Sequence, residues 1–351
     1  MSGGVINVQS EAATDSPGHW SMAWRRFCTD RVGVSCAVIV GLYLLVALGA
    51  GAGVVGAHWA EESGISYAPP GFSVPAAPAA GRRPAQESAP QASLPAEDLG
   101  IEDPIGAELA EIRRRPAGLA APETRTPTLP FGGDKWGRDV VQKTIKGTQT
   151  SVLVGLAAAV LAALIGTVLG AQAGYFGGRT DAVLNWVYSV FTSIPYLLLI
   201  LAIAAVLNQK GTSTVVLILA LTGWTGIFRL VRAEYMKHKV REYVLAANAI
   251  GAGDYARMYL HILPNVSHVV LVQLSLHVVL FIKSEVILSF LGFGVGVDTV
   301  SWGSMINEAQ NELLNGRWWQ LTAATIAMAA LVTAFSLLTD AMRDALDPRL
   351  N

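Results

Sequence analysis

Six histidines and two cysteines are the first residues to test for chemistry, since imidazole and thiolate serve as metal ligands, nucleophiles and proton carriers. His19, His58, His238, His261, His268 and His277 show no ligand spacing with Cys28 and Cys36, so no metal site is expected. The two cysteines stand eight residues apart and provide neither a disulfide framework nor a redox pair. Three further patterns are missing from the sequence: G-x-x-x-x-G-K-[ST], H-E-x-x-H and G-x-S-x-G. They would have marked a loop cradling nucleotide phosphates, a zinc-bound water and a serine nucleophile. The chain therefore reads as a non-enzyme that cannot supply an ATP-driven stroke by itself.

Lys283 and Glu285 carry more weight, because a charge inside an apolar stretch is costly and by default functional. Both fall within the run Val266–Gly296. Two residues apart on a helix, they point to different faces and form no simple ion pair. Glu285 comes 19 residues after Val266, about 28 Å along a helix and close to the far headgroups. It is a candidate to face a translocation path or a partner subunit, while Lys283 is long enough to snorkel. Gln273 and His277, an i,i+4 pair deeper in the same run, are candidates for lining the path, with helix-to-helix hydrogen bonding as the alternative.

The longest hydrophilic stretch between apolar runs is Arg229–Asn265. Its sequence, RLVRAEYMKHKVREYVLAANAIGAGDYARMYLHILPN, reads as helix, break, helix, stop. Ala246, Ala247 and Ala249 give a helix with little side-chain bulk, Gly251 and Gly253 break it, and Pro264 ends the second helix. Such a small-residue helix approaches another surface closely, which suits docking into a cleft on a separate protein. An ordinary solvated connection is the alternative.

The elements that hold these residues are set by composition. The 351 residues carry only 15% charged side chains, against roughly 25% in a soluble domain, and their mean hydropathy is +0.44. A net charge of −1 excludes a generally nucleic-acid-binding protein. A spanning helix needs about 20 apolar residues, and six runs qualify: Val32–Val55, Ser151–Gly178, Ala182–Asn208, Gly211–Phe228, Val266–Gly296 and Leu321–Leu338. The expectation is an all-α membrane protein with six transmembrane helices and both termini on one side. Arg25, Arg26 and Arg31 before the first run, Arg179 after the second, and Arg229, Arg232, Lys237, Lys239, Arg241 and Arg257 after the fourth make that side cytoplasmic by the positive-inside rule. Trp20, Trp24, Trp59, Trp302, Trp318 and Trp319 fall at the expected interfaces. Gly166, Gly170 and Gly174 form a small-residue face for close helix packing, within one subunit or between two. Pro195, after Thr192 and Ser193, predicts a kink whose freed carbonyl those hydroxyls bond.

Gly56–Pro130 holds 12 of the 16 prolines. It reads as a Pro/Ala-rich periplasmic insertion, extended or disordered rather than packed, with a short amphipathic helix allowed over Ile101–Arg115. FGGDKWGRDV leads into a segment ending near Gly147 that is too polar to span and is expected to lie along the outer interface. The expected domains are a cytoplasmic segment with an interfacial helix over 1–31, a first span over 32–55, the insertion over 56–130, and a transmembrane domain over 131–351 containing the loop 229–265.

The hydrophilic stretch resembles the cytoplasmic "EAA" loop of ATP-binding-cassette (ABC) importer permeases, with Ala246, Ala247, Gly251, Leu263 and Pro264 at the expected spacing. Two positions depart: Leu245 stands where that loop has an acid, and His261 where it has an aliphatic residue. LPFGGDKWGRDVVQKTIKGTQTSVLVGL, GYFGGRTD, SEVILSFLGFG, SWGSMINEAQ and RDALDPRL are similar to the C-type inner-membrane permease subunit of dipeptide and oligopeptide ABC importers, and AWRRFCTDRVGV to its amino-terminal segment. The resemblance covers Trp24–Val55 and Leu129–Asn351. It implies a type I ABC importer permease fold in a bacterial inner membrane. It also implies a second homologous permease subunit, two ABC ATPase subunits holding ATP and magnesium, a periplasmic or extracellular peptide-binding protein, and no cofactor in this chain. Coupling to the ATPases is implied for Tyr243, Ala246, Ala247, Ile250, Gly251, Arg257, Leu263 and Pro264. A permease for nickel or another metal chelate, or an ATPase-independent channel or scaffold, would use the same spans.

Overall fold

The computed structural model describes residues 25–73, 125–296 and 298–346. The Ile101–Arg115 segment, Trp20, Trp24 and residues 347–351 lie outside the described residues. The helices are α1 (Arg31–Gly51), α2 (Val140–Phe176), α3 (Gly178–Ser193), α4 (Tyr196–Leu207), α5 (Thr212–His238), α6 (Glu242–Ala249), α7 (Leu263–Phe290), α8 (Trp302–Leu314) and α9 (Trp319–Leu346). Among the described residues, β-structure is limited to isolated bridges. Five helical segments are long and apolar enough to cross a membrane: α1, α2, α5, α7 together with the turns before it from Asp254, and α9. The pair α3 and α4 passes as a sixth, bent by 90°.

That bend exceeds the kink expected at Pro195. Proline lacks an N–H and pushes the preceding residue out of the helical region. Accordingly α3 ends at Ser193, Ile194 is extended at φ −99° and ψ 131°, and α4 begins after Pro195. Thr192 Oγ1 donates to the Tyr188 carbonyl at 3.0 Å and Ser193 Oγ to the Val190 carbonyl at 2.8 Å, so these bonds go to earlier carbonyls and not to that of Phe191, which the missing proline N–H frees.

Pro264, expected to stop a helix, does not. A π-helical turn over Arg257–Ile262 precedes it, in which the Leu263 N–H reaches the Met258 carbonyl five residues back. The wider turn makes room for a ring that an α-turn would drive against the carbonyl four residues earlier. The segment Asp254–Phe290 therefore runs through as one span.

The polar stretch before Gly147 also departs from expectation, because it is the start of α2 rather than a separate interfacial segment. Its polarity is consumed inside the protein: Lys143 is 1% exposed and its Nζ donates to Glu308 Oε2 at 2.6 Å, while Lys146 Nζ donates to the Ala50 carbonyl at 3.2 Å. Paired charges read from sequence as solvated ones.

The glycine face of α2 packs within the subunit, against α5. A methyl group built on Gly166, Gly170 or Gly174 would lie 2.7, 2.8 and 2.5 Å from the carbonyl oxygens of Trp224, Phe228 and Arg232. Both series advance by four residues, so one helical ridge meets another with no side chain between them. Around this contact Ala171, Tyr175, Ile227, Val231 and Tyr235 join Val244, Met258, Ile262 and Val266 in one buried cluster. Elsewhere in the same compact unit α1 lies on α9, where Tyr43 Oη donates to the Ala327 carbonyl at 3.0 Å.

Residues His58–Val141 form a second compact unit. Its described parts are 58–73 and 125–141, which include FGGDKWGRDV. Arg138 lies over the rings of Trp136 and Trp59 at 4.5 and 5.5 Å, and Lys135 over Trp136 at 3.9 Å. Asp134, fully buried, accepts the backbone N–H groups of Trp136 and Arg138 at 2.9 and 3.0 Å, and Arg125 pairs with Glu62. Cation–π contacts and a buried carboxylate give these flanks cohesion that the average composition of the insertion hides.

If backbone contact between α2 and α5 organises the bundle, Gly170→Leu destabilises the purified protein by about 1–3 kcal/mol through overpacking. Gly41→Leu, where an added Cβ meets nothing within 4 Å, leaves it unchanged. Thermal unfolding in detergent separates the two, and equal melting temperatures would refute the packing argument.

Candidate functional site

The loop between α5 and α7 is built on buried tyrosines. Tyr235, wholly buried at the end of α5, donates from Oη to the Met258 carbonyl at 3.1 Å. Tyr175, at the end of α2, donates to Asp254 Oδ1 at 2.9 Å. Arg257 closes the loop by donating to Asp254 Oδ1 at 2.5 Å and to Asn248 Oδ1 at 2.7 Å. Inside this frame α6 turns Val244 and Ala247 inward. The Gly251 φ of +87° lies in the left-handed region, where a side chain is strained and glycine is not.

Of the residues expected here, Tyr243, Ala246, Ile250, Gly251 and Pro264 are exposed, Leu263 and Arg257 are half-buried, and Ala247 is buried. Tyr243 Oη lies 2.8 Å from His238 Nδ1, and partial burial raises its hydroxyl above the ordinary tyrosine range, against the pull of Arg241. It is therefore a neutral hydroxyl at physiological pH. Sequence reasoning missed part of the surface: Val240, Leu245, Tyr255 and Leu260 are exposed beside Ile250, which is 84% exposed. Their signal was an apolar side chain recurring in a hydrophilic stretch. Leu245, noted as a departure from the acidic position, is one of these exposed apolar residues.

The expected path residues of the fifth run sit elsewhere. Glu285 is 0% exposed and enclosed by this chain's own residues. Its Oε2 accepts Ser151 Oγ of α2 at 2.9 Å, and its Oε1 accepts Ser289 Oγ at 2.8 Å. Ser151 Oγ in turn accepts the backbone N–H of Trp302 at 3.3 Å, and Ser289 Oγ lies 3.5 Å from Ser301 Oγ. Ser301 and Ser304 form a capping box on α8, so the carboxylate is linked through hydroxyls to a helix N-terminus, where negative charge is favoured. His277 is also buried. Its Nδ1 donates to the Gln273 carbonyl at 2.7 Å and its ring meets Phe281 edge-on, which is the packing alternative. Gln273 is half-buried, and Lys283 is exposed on the opposite side from Glu285. The sequence also missed Lys143, Glu308 and Gln320, which join α2, α8 and α9: Gln320 Nε2 donates to Glu308 Oε2 at 3.2 Å and to the Met305 carbonyl at 3.1 Å. Among the described residues no group of His, Cys, Asp or Glu is placed to hold a metal ion.

A family profile described as "Binding-protein-dependent transport system inner membrane component" matches residues 162–351, which include the whole of this loop. The chain belongs to that family. As a permease of this family, it is 39% identical over 220 residues to the dipeptide transport system permease protein DppC of Bacillus subtilis, covering 63% of this chain and 68% of the relative. It is 36% identical over 220 residues to the oligopeptide permease OppC of the same organism, covering 63% and 72%. It is 30% identical over 327 residues to DppC of Lactococcus lactis, covering 93% and 90%. The helical bundle together with the family match makes this the type I importer permease fold. Permeases of this family work in importers with a partner permease, ATPase subunits and a substrate-binding protein.

The Glu285 network has a structural consequence for this permease. Glu285→Ala leaves two buried hydroxyls without their acceptor and lowers stability by about 1–3 kcal/mol, and Glu285→Gln, which keeps one acceptor, recovers part of the loss. Thermal melts of the purified variants decide this; an unaffected alanine variant would sink it.

Proposed function

We propose that this permease pairs with a second homologous permease to form the path for di- and oligopeptide uptake. Two separate ATPase subunits holding ATP and magnesium dock on the loop 229–265, and an external binding protein delivers the peptide. The termini and this loop face the cytoplasm, where Arg and Lys are concentrated, and the insertion 56–130 is external. Relatives named for dipeptide and oligopeptide transport favour peptides over nickel or metal chelates. An ATPase-independent channel has no use for the exposed loop.

The observation that carries the reading is a set of exposed apolar side chains, Val240, Tyr243, Leu245, Ile250, Tyr255 and Leu260, on the hydrophilic stretch between two spans. Exposed apolar side chains on a rigid element suit a protein partner. The inner side of the stretch is continuous with the core: Val244 and Met258 pack in the same cluster as Tyr175 of α2 and Tyr235 of α5. Movement of a docked ATPase therefore reaches α2, α5 and α7 directly, and the spans tilt with it. Gly251 lets the chain turn back after α6, so that the helix lies across its partner.

Ile250→Asp replaces the most exposed of these apolar side chains with a charge and lowers co-purification of the ATPases by about tenfold or more, the scale of an interface hot spot. Gly251→Leu keeps the permease in the membrane but uncouples ATP hydrolysis from peptide uptake, because a leucine resists the left-handed backbone. Both are read in a reconstituted importer. Wild-type association in the first variant or normal uptake in the second would overturn the docking role.

A further inference from the structure

The first helix of the broken span presents three distinct faces. At 100° per residue, Leu184, Val187, Tyr188 and Phe191 share one face of α3, and they pack on Ala173, Trp224 and Phe228. The rest of the helix stays open, and none of its residues is fully buried. One open stripe is apolar: Val183, Trp186 and Val190 are 61, 68 and 45% exposed. The other is polar, formed by the exposed residues Asn185, Ser189 and Thr192. Asp181, at the Gly178 end of the polar stripe, is paired with Arg232 at 2.5 and 2.7 Å. No charge occurs between it and the break at Pro195.

These two stripes suit different surroundings. Trp186 and the valines are stable against lipid tails or another apolar surface. The three polar residues are not equal in cost. Ser189 Oγ donates to the Asn185 carbonyl at 2.8 Å and Thr192 Oγ1 to the Tyr188 carbonyl at 3.0 Å, so both hydroxyls have placed their hydrogens and only their lone pairs are open. Asn185 has no such local solution. Its exposed carboxamide is bonded to nothing in the described chain, and it lies seven residues from Gly178, about 10 Å into the span at 1.5 Å per residue. Lipid offers it no partner, and an unpaired amide there costs several kcal/mol.

We infer that the stripe of Asn185, Ser189 and Thr192 lines the water-filled path through the membrane and meets the permeant there. This rests on the permease reading above. An uncharged stripe of open acceptors with one carboxamide suits the main-chain N–H and C=O groups that every peptide carries, whatever its side chains. The path is thereby placed on α3, next to the bend at Pro195, and away from His277 and Glu285.

Single-cysteine variants test it, made in a Cys28→Ser, Cys36→Ser background of the complete importer in proteoliposomes. A charged, water-soluble thiol reagent should modify Asn185→Cys, Ser189→Cys and Thr192→Cys about tenfold faster or more than Val183→Cys, Trp186→Cys and Val190→Cys, a difference of about 1.4 kcal/mol in access. Modification at Asn185→Cys should block uptake of trialanine, and modification at Val183→Cys should not. Equal labelling of the two stripes, or slower labelling of the polar one, overturns the inference and places that stripe in a sealed contact. Failure of the unmodified importer to take up trialanine, with the labelling contrast intact, counts against the peptide reading and leaves the path where it is.

Discussion

The contact on which most of this structure depends is the approach of α2 to α5 along Gly166, Gly170 and Gly174. In a bilayer the lipid tails are as apolar as leucine, so burying side chains gives little preference for one helix pairing over another. Close backbone packing supplies that preference. It also fixes the two tyrosines that hold the cytoplasmic loop, since Tyr175 follows Gly174 by one residue and Tyr235 packs against the same turn. Through their hydrogen bonds to Asp254 and Met258, the position of α6 relative to the bundle is set by a contact inside the membrane. The loop and the spans thus share one buried cluster, with no long chain of side chains between them.

A second constraint shapes the other end of the bundle. Polar groups removed from water must find partners within the chain, and here they do so in two networks. Glu285 ties Ser151 of α2 and Ser289 of α7 to the N-terminus of α8, and Lys143 of α2 reaches Glu308 of α8 beside Gln320 of α9. Glu285, which looked functional because a charge is costly in lipid, is accommodated because hydroxyls of Ser151 and Ser289 bond its oxygens, whereas Lys283 on the same helix stays exposed.

Two prolines illustrate how local rules leave the outcome undecided. Pro195 and Pro264 each remove one helical hydrogen bond. At Pro195 the chain leaves the helix and turns by 90°, whereas at Pro264 a π-turn absorbs the ring and the span continues. The difference lies in what surrounds them: Met258 and Ile262 on the π-turn are buried in the main core cluster, while Ile194 and Pro195 are exposed.

Much of this protein was legible without coordinates. Long apolar runs are forced by the absence of water in the bilayer, so the helical class and the positions of the spans follow from composition and order alone. The helix and the break of the stretch 229–265 were legible too, because small residues, glycine breaks and a polar stretch between spans are local signals. Which side of each helix is covered was not. Pairing partners for Lys143 and Glu285 come from 134 to 165 residues away, and the packing of the Trp59, Trp136 and Arg138 cluster joins the two flanks of a Pro-rich insertion. A sequence states what each helix carries on its faces; which face is covered by protein and which stays open is decided only when non-local helices pack.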